Sequence, residues 1–352
     1  MTAFTVAEAE TPRQIPEPES RVGLRGLLGI ARRRSVFGAL EVFHRELGDV
    51  FHLPLPGFNP VMLVGPEASR FVLITSRDDV RWRLEGEPIT LLLRHGVLVE
   101  DGESHNDIRR QMNPALHRNM LQHHTSAMIR QTDRVTAAWV PGKHYDMLSE
   151  MRKIALLILT DTLFGVDFNP ELSRLWDGIM RAVKYISPGP WVVWRRLAPI
   201  GYNHELRKID AYIYRIIAER RRTLQSVDSP DDTDDLLGTL ICSGMDDELI
   251  RDQLMTMIIA GHDTSTAALA WTLYLLGAHP WALLRAQDEV RSALGGAVPD
   301  YENTSQLTYL KAVINESLRL YPPIHLGSRL AAIDLKFKNY VIPAGTRVLY
   351  SI

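Results

Sequence analysis

Cysteine is almost missing from this chain: Cys242 is the single one in 352 residues. That excludes an internal disulfide and any zinc or iron–sulfur site built from several cysteines of the chain, and it fits a reducing, cytoplasmic location. An excess of either charge is missing too. Forty basic against 42 acidic side chains leave a formal charge of −2, which excludes a polybasic arm or an acidic disordered chain and gives no ground for a nucleic-acid partner. A secretory signal is lacking, because residues 1–20 are acidic and proline-bearing instead of basic and then apolar; residues 1–22 read as a flexible tail. Long apolar runs are scarce. Residues 24–30 are too few to span a bilayer and run into Arg32, Arg33 and Arg34, so at most they lie on a surface. Residues 254–276 have the length of a span but carry His262, Asp263, Thr264 and Ser265 at their middle, where a charge is costly in lipid, so a buried helix is expected. No internal repeat or low-complexity run is found.

What is present is a mostly helical pattern with small β regions. Residues 50–55 and 61–64 read as strands around the turn-rich Pro56, Gly57, Phe58, Asn59 and Pro60, and Pro66 opens a helix in the favoured first-turn position. Helical spacing then recurs in 109–121, 124–139, 147–163, 170–186, 204–224, 247–276, 280–294 and 307–320. The acidic stretch 228–235, with Pro230, reads as an exposed connection, and strand character returns in 336–342 and 346–352. The chain ends in mid-strand without a polar cap, as a fragment of something longer would.

Three segments carry chemistry. In residues 255–268, Gly261 costs about 1 kcal/mol against alanine in a helix interior, and Asp263 and Thr264 suit an apolar helix poorly. Met257, Ala260, Gly261, Thr264 and Ala268 share one helical face whose small side chains admit a flat, bulky object. Thr264 can donate its hydroxyl to the Ala260 carbonyl and open a groove for water or a small ligand, beside the titratable Asp263. The competing reading is a small-residue seam against another helix, with Asp263 paired elsewhere. In the second segment Glu316 and Arg319 lie three apart amid apolar neighbours, ahead of Tyr321, Pro322 and Pro323; a buried structural clamp is expected there, against a solvated surface pair. In the third, His105 and Arg109 are four apart and offer two donors to anionic oxygens, against a solvated, charged first turn.

Taken in order, these motifs resemble the cytochrome P450 family of haem-thiolate monooxygenases, over residues 27–352. Ala260 to Ser265 resembles the family's oxygen-activating motif, Glu316, Ser317, Leu318, Arg319 its glutamate-to-arginine helix signature, and Asn339 to Thr346 the hairpin that follows. The resemblance implies a single cytochrome P450-like domain over 23–352. It implies haem b (iron protoporphyrin IX), with His105, Arg109 and Arg329 on its propionates and Ala260 and Gly261 against it. Asp263 and Thr264 would be catalytic, managing protons during dioxygen activation, and Glu316 and Arg319 structural. Electrons would come from NAD(P)H through a ferredoxin or flavodoxin-type donor. The substrate would be lipophilic, such as a fatty acid, terpenoid or steroid-like molecule, near Val97, Leu98, Met257 and residues 324–328.

The family's thiolate loop follows the glutamate-to-arginine helix, and no cysteine follows Arg319; no metal ligand is therefore assigned. Gly238, Cys242 and Gly244 repeat that loop's spacing, but Asp235 stands where the loop wants an aromatic and Leu240 where it wants a base. Cys242 is expected to be an inert, buried small residue. Two functional expectations follow: the amino-terminal portion of a monooxygenase, or a truncated, inactive relative with at most weak haem or ligand binding. An all-helical ligand-binding or scaffold protein leaves the three motifs unexplained. Trp191 to Trp194, framed by prolines and arginines, read either as packing between helices or as a peripheral membrane contact.

Overall fold

The computed structural model describes residues 13–33, 35, 37–53, 58–85, 87–186, 202–226 and 234–351. Residues 1–12, Pro56 and Gly57, the aromatic patch 191–194 and most of the acidic connection lie outside the described residues. Two compact units are present, a sheet unit and a helical unit, and the fold is mostly helical with small sheets.

The sheet unit opens with α1 (Ser20–Arg33) and α2 (Phe37–Leu47), then β1 (Val50–His52), β2 (Val61–Leu63), α3 (Pro66–Arg70), a π-helical turn (Phe71–Thr75) and β3 (Val80–Arg81). It closes with β4 (Leu326–Ala331), β5 (Leu335–Phe337), β6 (Tyr340–Ile342) and β7 (Arg347–Ser351). The main sheet has the order β1-β2-β7-β4-β3. β7 runs parallel to β2, with Val61 opposite Val348, and antiparallel to β4, with Arg329 opposite Val348. Strands nearly 300 residues apart thus share one ladder, and their Val50, Val61, Leu63, Val348 and Tyr350 side chains share one buried core.

Several expectations are corrected here. The flexible tail expected over 1–22 does not hold for residues 13–22: Ile15 is buried, the Arg13 N–H donates to the Asn339 carbonyl at 2.7 Å, the His52 N–H donates to the Pro16 carbonyl at 2.8 Å, and α1 begins at Ser20. The strand expected over 336–342 is a hairpin, β5 against β6, turning at Lys338 with φ 51°. A left-handed lysine without a neighbouring glycine gives little turn signal in sequence. β4 was not expected at all.

The helical unit contains α4 (Pro88–Leu93), α5 (Gly102–Met112), α6 (Met120–Thr136), α7 (Met147–Phe164), α8 (Asn169–Ile186), α9 (Tyr202–Gln225), α10 (Leu236–Cys242), α11 (Asp247–Ala278), α12 (Pro280–Leu294), α13 (Tyr301–Thr304) and α14 (Thr308–Leu320). The helix expected over 109–121 is displaced: α5 already forms at Gly102, and the chain turns through Pro114 before α6. Leu156 and Leu157 of α7, Ile213 and Ile217 of α9, Leu237 and Leu240 of α10 and Leu254 and Ile258 of α11 build one core. Among the described residues no single helix is long and apolar enough to cross a membrane; α11 and α12 meet that measure only as a pair bent by 112°.

A buried ion network fastens α11 into this core. Arg251 is 1% exposed; its Nε donates to Asp210 of α9 at 2.7 Å, and its Nη1 to the Asp252 carboxylate at 2.9 Å and the Leu92 carbonyl of α4 at 3.0 Å. Burial pushes the Asp252 carboxyl up, against the opposing pull of the His95 N–H and Arg251. Removing the arginine leaves the buried Asp252 carboxylate with only the His95 N–H among the described residues, while Asp210 keeps Arg94 at 3.6 Å. Arg251→Met is therefore expected to lower the unfolding free energy by about 3–5 kcal/mol, read by urea denaturation; a loss below about 1 kcal/mol contradicts this account.

Candidate functional site

The site is built on α11. Asp246 caps its start by accepting from the Leu249 N–H at 2.8 Å, and Asp247 and Glu248 complement the positive end of the helix. Gln253 then ties the helix to the loop after α4: its Nε2 donates to the His95 carbonyl at 3.0 Å, and its Oε1 accepts from the Val97 N–H at 2.7 Å. Gly96 allows this approach, since a Cβ there would run into the Thr256 hydroxyl.

The middle of α11 carries a run of hydroxyls bonded back to the helix. Thr264 Oγ1 donates to the Ala260 carbonyl at 2.8 Å, as its spacing predicts, and Ser265 and Thr266 do the same to Gly261 and His262 at 2.9 and 2.7 Å. Three consecutive carbonyls thereby receive side-chain donors besides the helical ladder, which loosens and bends a helix locally. The run Thr264, Ser265, Thr266 is the sequence signal for this, and only its first member was read from it. Met257, Ala260, Thr264, Ala267 and Ala268 are half-exposed along one stripe. Gly261 at its edge is a helix seam instead: a Cβ there would stand 2.5 Å from Leu159 Cδ1 of α7.

On the flank facing α7, Asp263 accepts from Arg152 at 2.8 Å. Asp263 thus has the partner that the seam reading foresaw, yet it remains partly exposed and sits beside Thr264 in the chain. His262 is fully buried, with Nδ1 against the Ile258 carbonyl. A carbonyl only accepts, so the proton is on Nδ1 and Nε2 is left as a buried acceptor without a partner among the described residues; the Arg152 Nε–H is a buried donor in the same state. Burial lowers the His262 ring below its ordinary imidazole value.

The other expected residues fall as follows. His105 and Arg109 sit one turn apart on α5, His105 half-buried with Nδ1 3.2 Å from Asn106 Oδ1, and Arg109 exposed and joined to no acid among the described residues. Arg329 belongs to β4 in the sheet unit; its guanidinium lies over Trp82 at 4.9 Å and donates to the Ser328 carbonyl at 2.8 Å. Val97, Leu98 and Met257 belong to the helical unit and Ile324 to the sheet unit. Two expectations are corrected. Glu316 and Arg319 form a two-pronged ion pair at 2.6 and 2.7 Å, but with side chains 55% and 66% exposed; α14 instead meets its neighbours through Tyr309, Leu310 and Val313, with Ser317 its buried residue and Tyr321 stacked on Trp271 of α11 at 4.0 Å. Cys242, at the end of α10, is exposed, not buried, because α10 turns Leu237, Leu240 and Ile241 inward.

The residues present fit a haem. A stripe of small side chains on α11 suits a flat apolar face, and large apolar side chains of the same helix beyond it, Leu269, Trp271 and Leu273, are exposed. Within the helical unit, His105 and Arg109 are donors without a competing carboxylate among the described residues, unlike Arg152 and Arg251, which suits propionates.

Comparison with known proteins agrees. The family model described as Cytochrome P450 matches residues 16–352. Cyclooctat-9-en-7-ol 5-monooxygenase of Streptomyces melanosporofaciens is 29% identical over 323 residues, spanning 86% of this chain and 68% of that protein. Pentalenene oxygenase of Streptomyces avermitilis is 27% identical over 318 residues, spanning 86% and 69%. The solved structure of retinoic acid bound cyanobacterial CYP120A1 superposes with a TM-score of 0.80 at 21% identity, covering 97% of this chain and 78% of that one, a likeness of fold.

The buried neutral imidazole makes a pH prediction. A ring whose folded pKa is lowered binds fewer protons than in the unfolded chain, so its cost is absent above the unfolded value and grows as pH falls through about 6.5. His262→Leu is expected to flatten the acid limb of the stability curve by up to about 1.4 kcal/mol per pH unit. Urea unfolding at pH 7.5 and 5.5 checks this, and parallel losses in the two proteins would contradict it.

Proposed function

This chain belongs to the cytochrome P450 family, and from that premise we propose that it forms the dioxygen-handling part of a haem-dependent monooxygenase acting on a lipophilic organic molecule. The observation that carries the reading is the half-exposed stripe through Ala260 and Thr264, with the Thr264 hydroxyl bonded to the Ala260 carbonyl and Asp263 beside it. Haem b would lie against Ala260, Gly261 and Thr264, with His105, Arg109 and Arg329 toward its propionates. When bound it supplies the redox chemistry that activates dioxygen, with NAD(P)H electrons arriving from a ferredoxin or flavodoxin-type donor.

The chain's own residues would then handle protons and exclude water. Thr264 Oγ1 gives its hydrogen to Ala260 and keeps lone pairs that can accept from a water in the groove. Asp263, anchored by Arg152 and still in reach of solvent, is placed to pass protons inward as the carboxylate turns between its anchor and that water. Val97, Leu98 and Met257 would supply apolar walls. The names of two relatives, for cyclooctat-9-en-7-ol and pentalenene, support a lipophilic substrate. Glu316 and Arg319 are read as structural through their ion pair. The location is read as cytoplasmic, from a single cysteine.

One observation favours a second reading for the chain as given. Its single cysteine is exposed on α10 and is not part of the stripe, so haem bound here would lack the thiolate that favours oxygen–oxygen cleavage; the chain by itself would bind haem or ligand without turnover. The carbon-monoxide difference spectrum of the ferrous, haem-loaded protein tests both statements. A haem spectrum without the red-shifted thiolate band, unchanged in Cys242→Ser, is expected. A thiolate band that Cys242→Ser abolishes would overturn the reading of Cys242, and the absence of any haem spectrum would overturn the haem reading.

A further inference from the structure

We propose that α1 is a membrane-surface docking helix that lays its leucine face on an anionic lipid surface. Leu24, Leu27 and Leu28 are 61%, 64% and 62% exposed, and with Ala31 they recur at the i, i+3, i+4 and i+7 positions of one helical face. Three leucines this open, side by side, are not the scattered apolar residues of an ordinary surface. The opposite face is fully engaged. Gly26 lies against the Phe43 ring, and Gly29 and Gly38 bring the backbones of α1 and α2 so close that a Cβ on either would collide with the other helix. α2 is in turn held by Leu40, Phe43 and Leu47 against Phe51, Leu53 and Met62 of the sheet unit. The leucine face is therefore mounted rigidly outward.

Charge selects the occupant. Residues 20–47 hold six arginines against two glutamates, an excess of four positive charges in a chain of net charge −2. Arg25 and Arg33 are paired with Glu46 and Glu41 at 2.7 and 2.8 Å. Arg21 and Arg32 lie on the helical edge beside Leu28. A second copy of the same face would bring two cationic surfaces together, which repel. A lipid surface with acidic headgroups takes both the apolar stripe and the arginine edge. At about 21 Å, the helix is long enough to lie in the interface and too short to cross it. A lipophilic substrate would partition into the same surface, but the docking itself needs neither substrate nor haem.

Flotation of the full chain with vesicles tests the proposal, using phosphatidylcholine alone and phosphatidylcholine with about one-third phosphatidylglycerol, at low and high salt. The expected result is flotation with the anionic vesicles, several-fold weaker at high salt, and at least tenfold weaker in Leu27→Asp, whose circular dichroism should match the parent because Leu27 is exposed. Leu27→Trp should add a blue-shifted emission with anionic vesicles and not with phosphatidylcholine. Equal flotation of parent and Leu27→Asp, or none by the parent, would overturn the proposal. So would a dimer that Leu27→Asp dissociates without any vesicle binding, which would make a second copy the occupant.

Discussion

The Arg251 guanidinium is the constraint on which the helical unit depends. It joins α11 to Asp210 of α9 and to the Leu92 carbonyl of α4 while neutralising its own neighbour Asp252. Asp252 in turn accepts from the His95 N–H at 3.1 Å, and Gln253 holds the same loop at His95 and Val97. Three successive residues of one helix thus hold α4, the loop after it and α9. A helix so held cannot rotate about its axis, and the rotational position of everything downstream follows. Three turns later, Ala260 and Thr264 fall on the open side and His262 and Thr266 on the buried side.

The middle of α11 then separates two tasks. Its open side is small and half-exposed, with the Thr264 hydroxyl bonded back to the Ala260 carbonyl, which suits a large flat ligand and a water beside it. Its inner side carries charge in a controlled way: Asp263 is anchored by Arg152 of α7, and His262 stays neutral because burial disfavours its charged form. Gly261 stands between the two sides. Its missing side chain serves the approach of α7 through Leu159, a packing reason for a small residue at that position.

What was legible in the sequence was periodic or local. The long helix around Thr264, the helix opened by Pro280 and the Thr264-to-Ala260 hydrogen bond follow from spacing and side-chain chemistry alone. What was not legible depends on partners far along the chain. β4 has little strand pattern of its own and exists through its pairing with β7. The Glu316 and Arg319 pair was placed inside because its neighbours are apolar, yet Ile314, Leu318 and Leu320 are themselves exposed; a 13-residue helix with apolar residues on several faces does not state which face is covered. The Arg251 network escaped notice because Arg251, Asp252 and Gln253 are three ordinary polar residues until α4 and α9 close over them.

The central claim is that the open stripe of α11 is the haem-bearing face, and a haem titration of the protein and of Ala260→Trp, followed by the visible absorption of bound haem, tests it most directly. Ala260 is half-exposed, so the variant is expected to keep the parent's circular dichroism and urea midpoint while its haem affinity falls by at least tenfold. Equal haem affinity in two equally folded proteins would contradict the account.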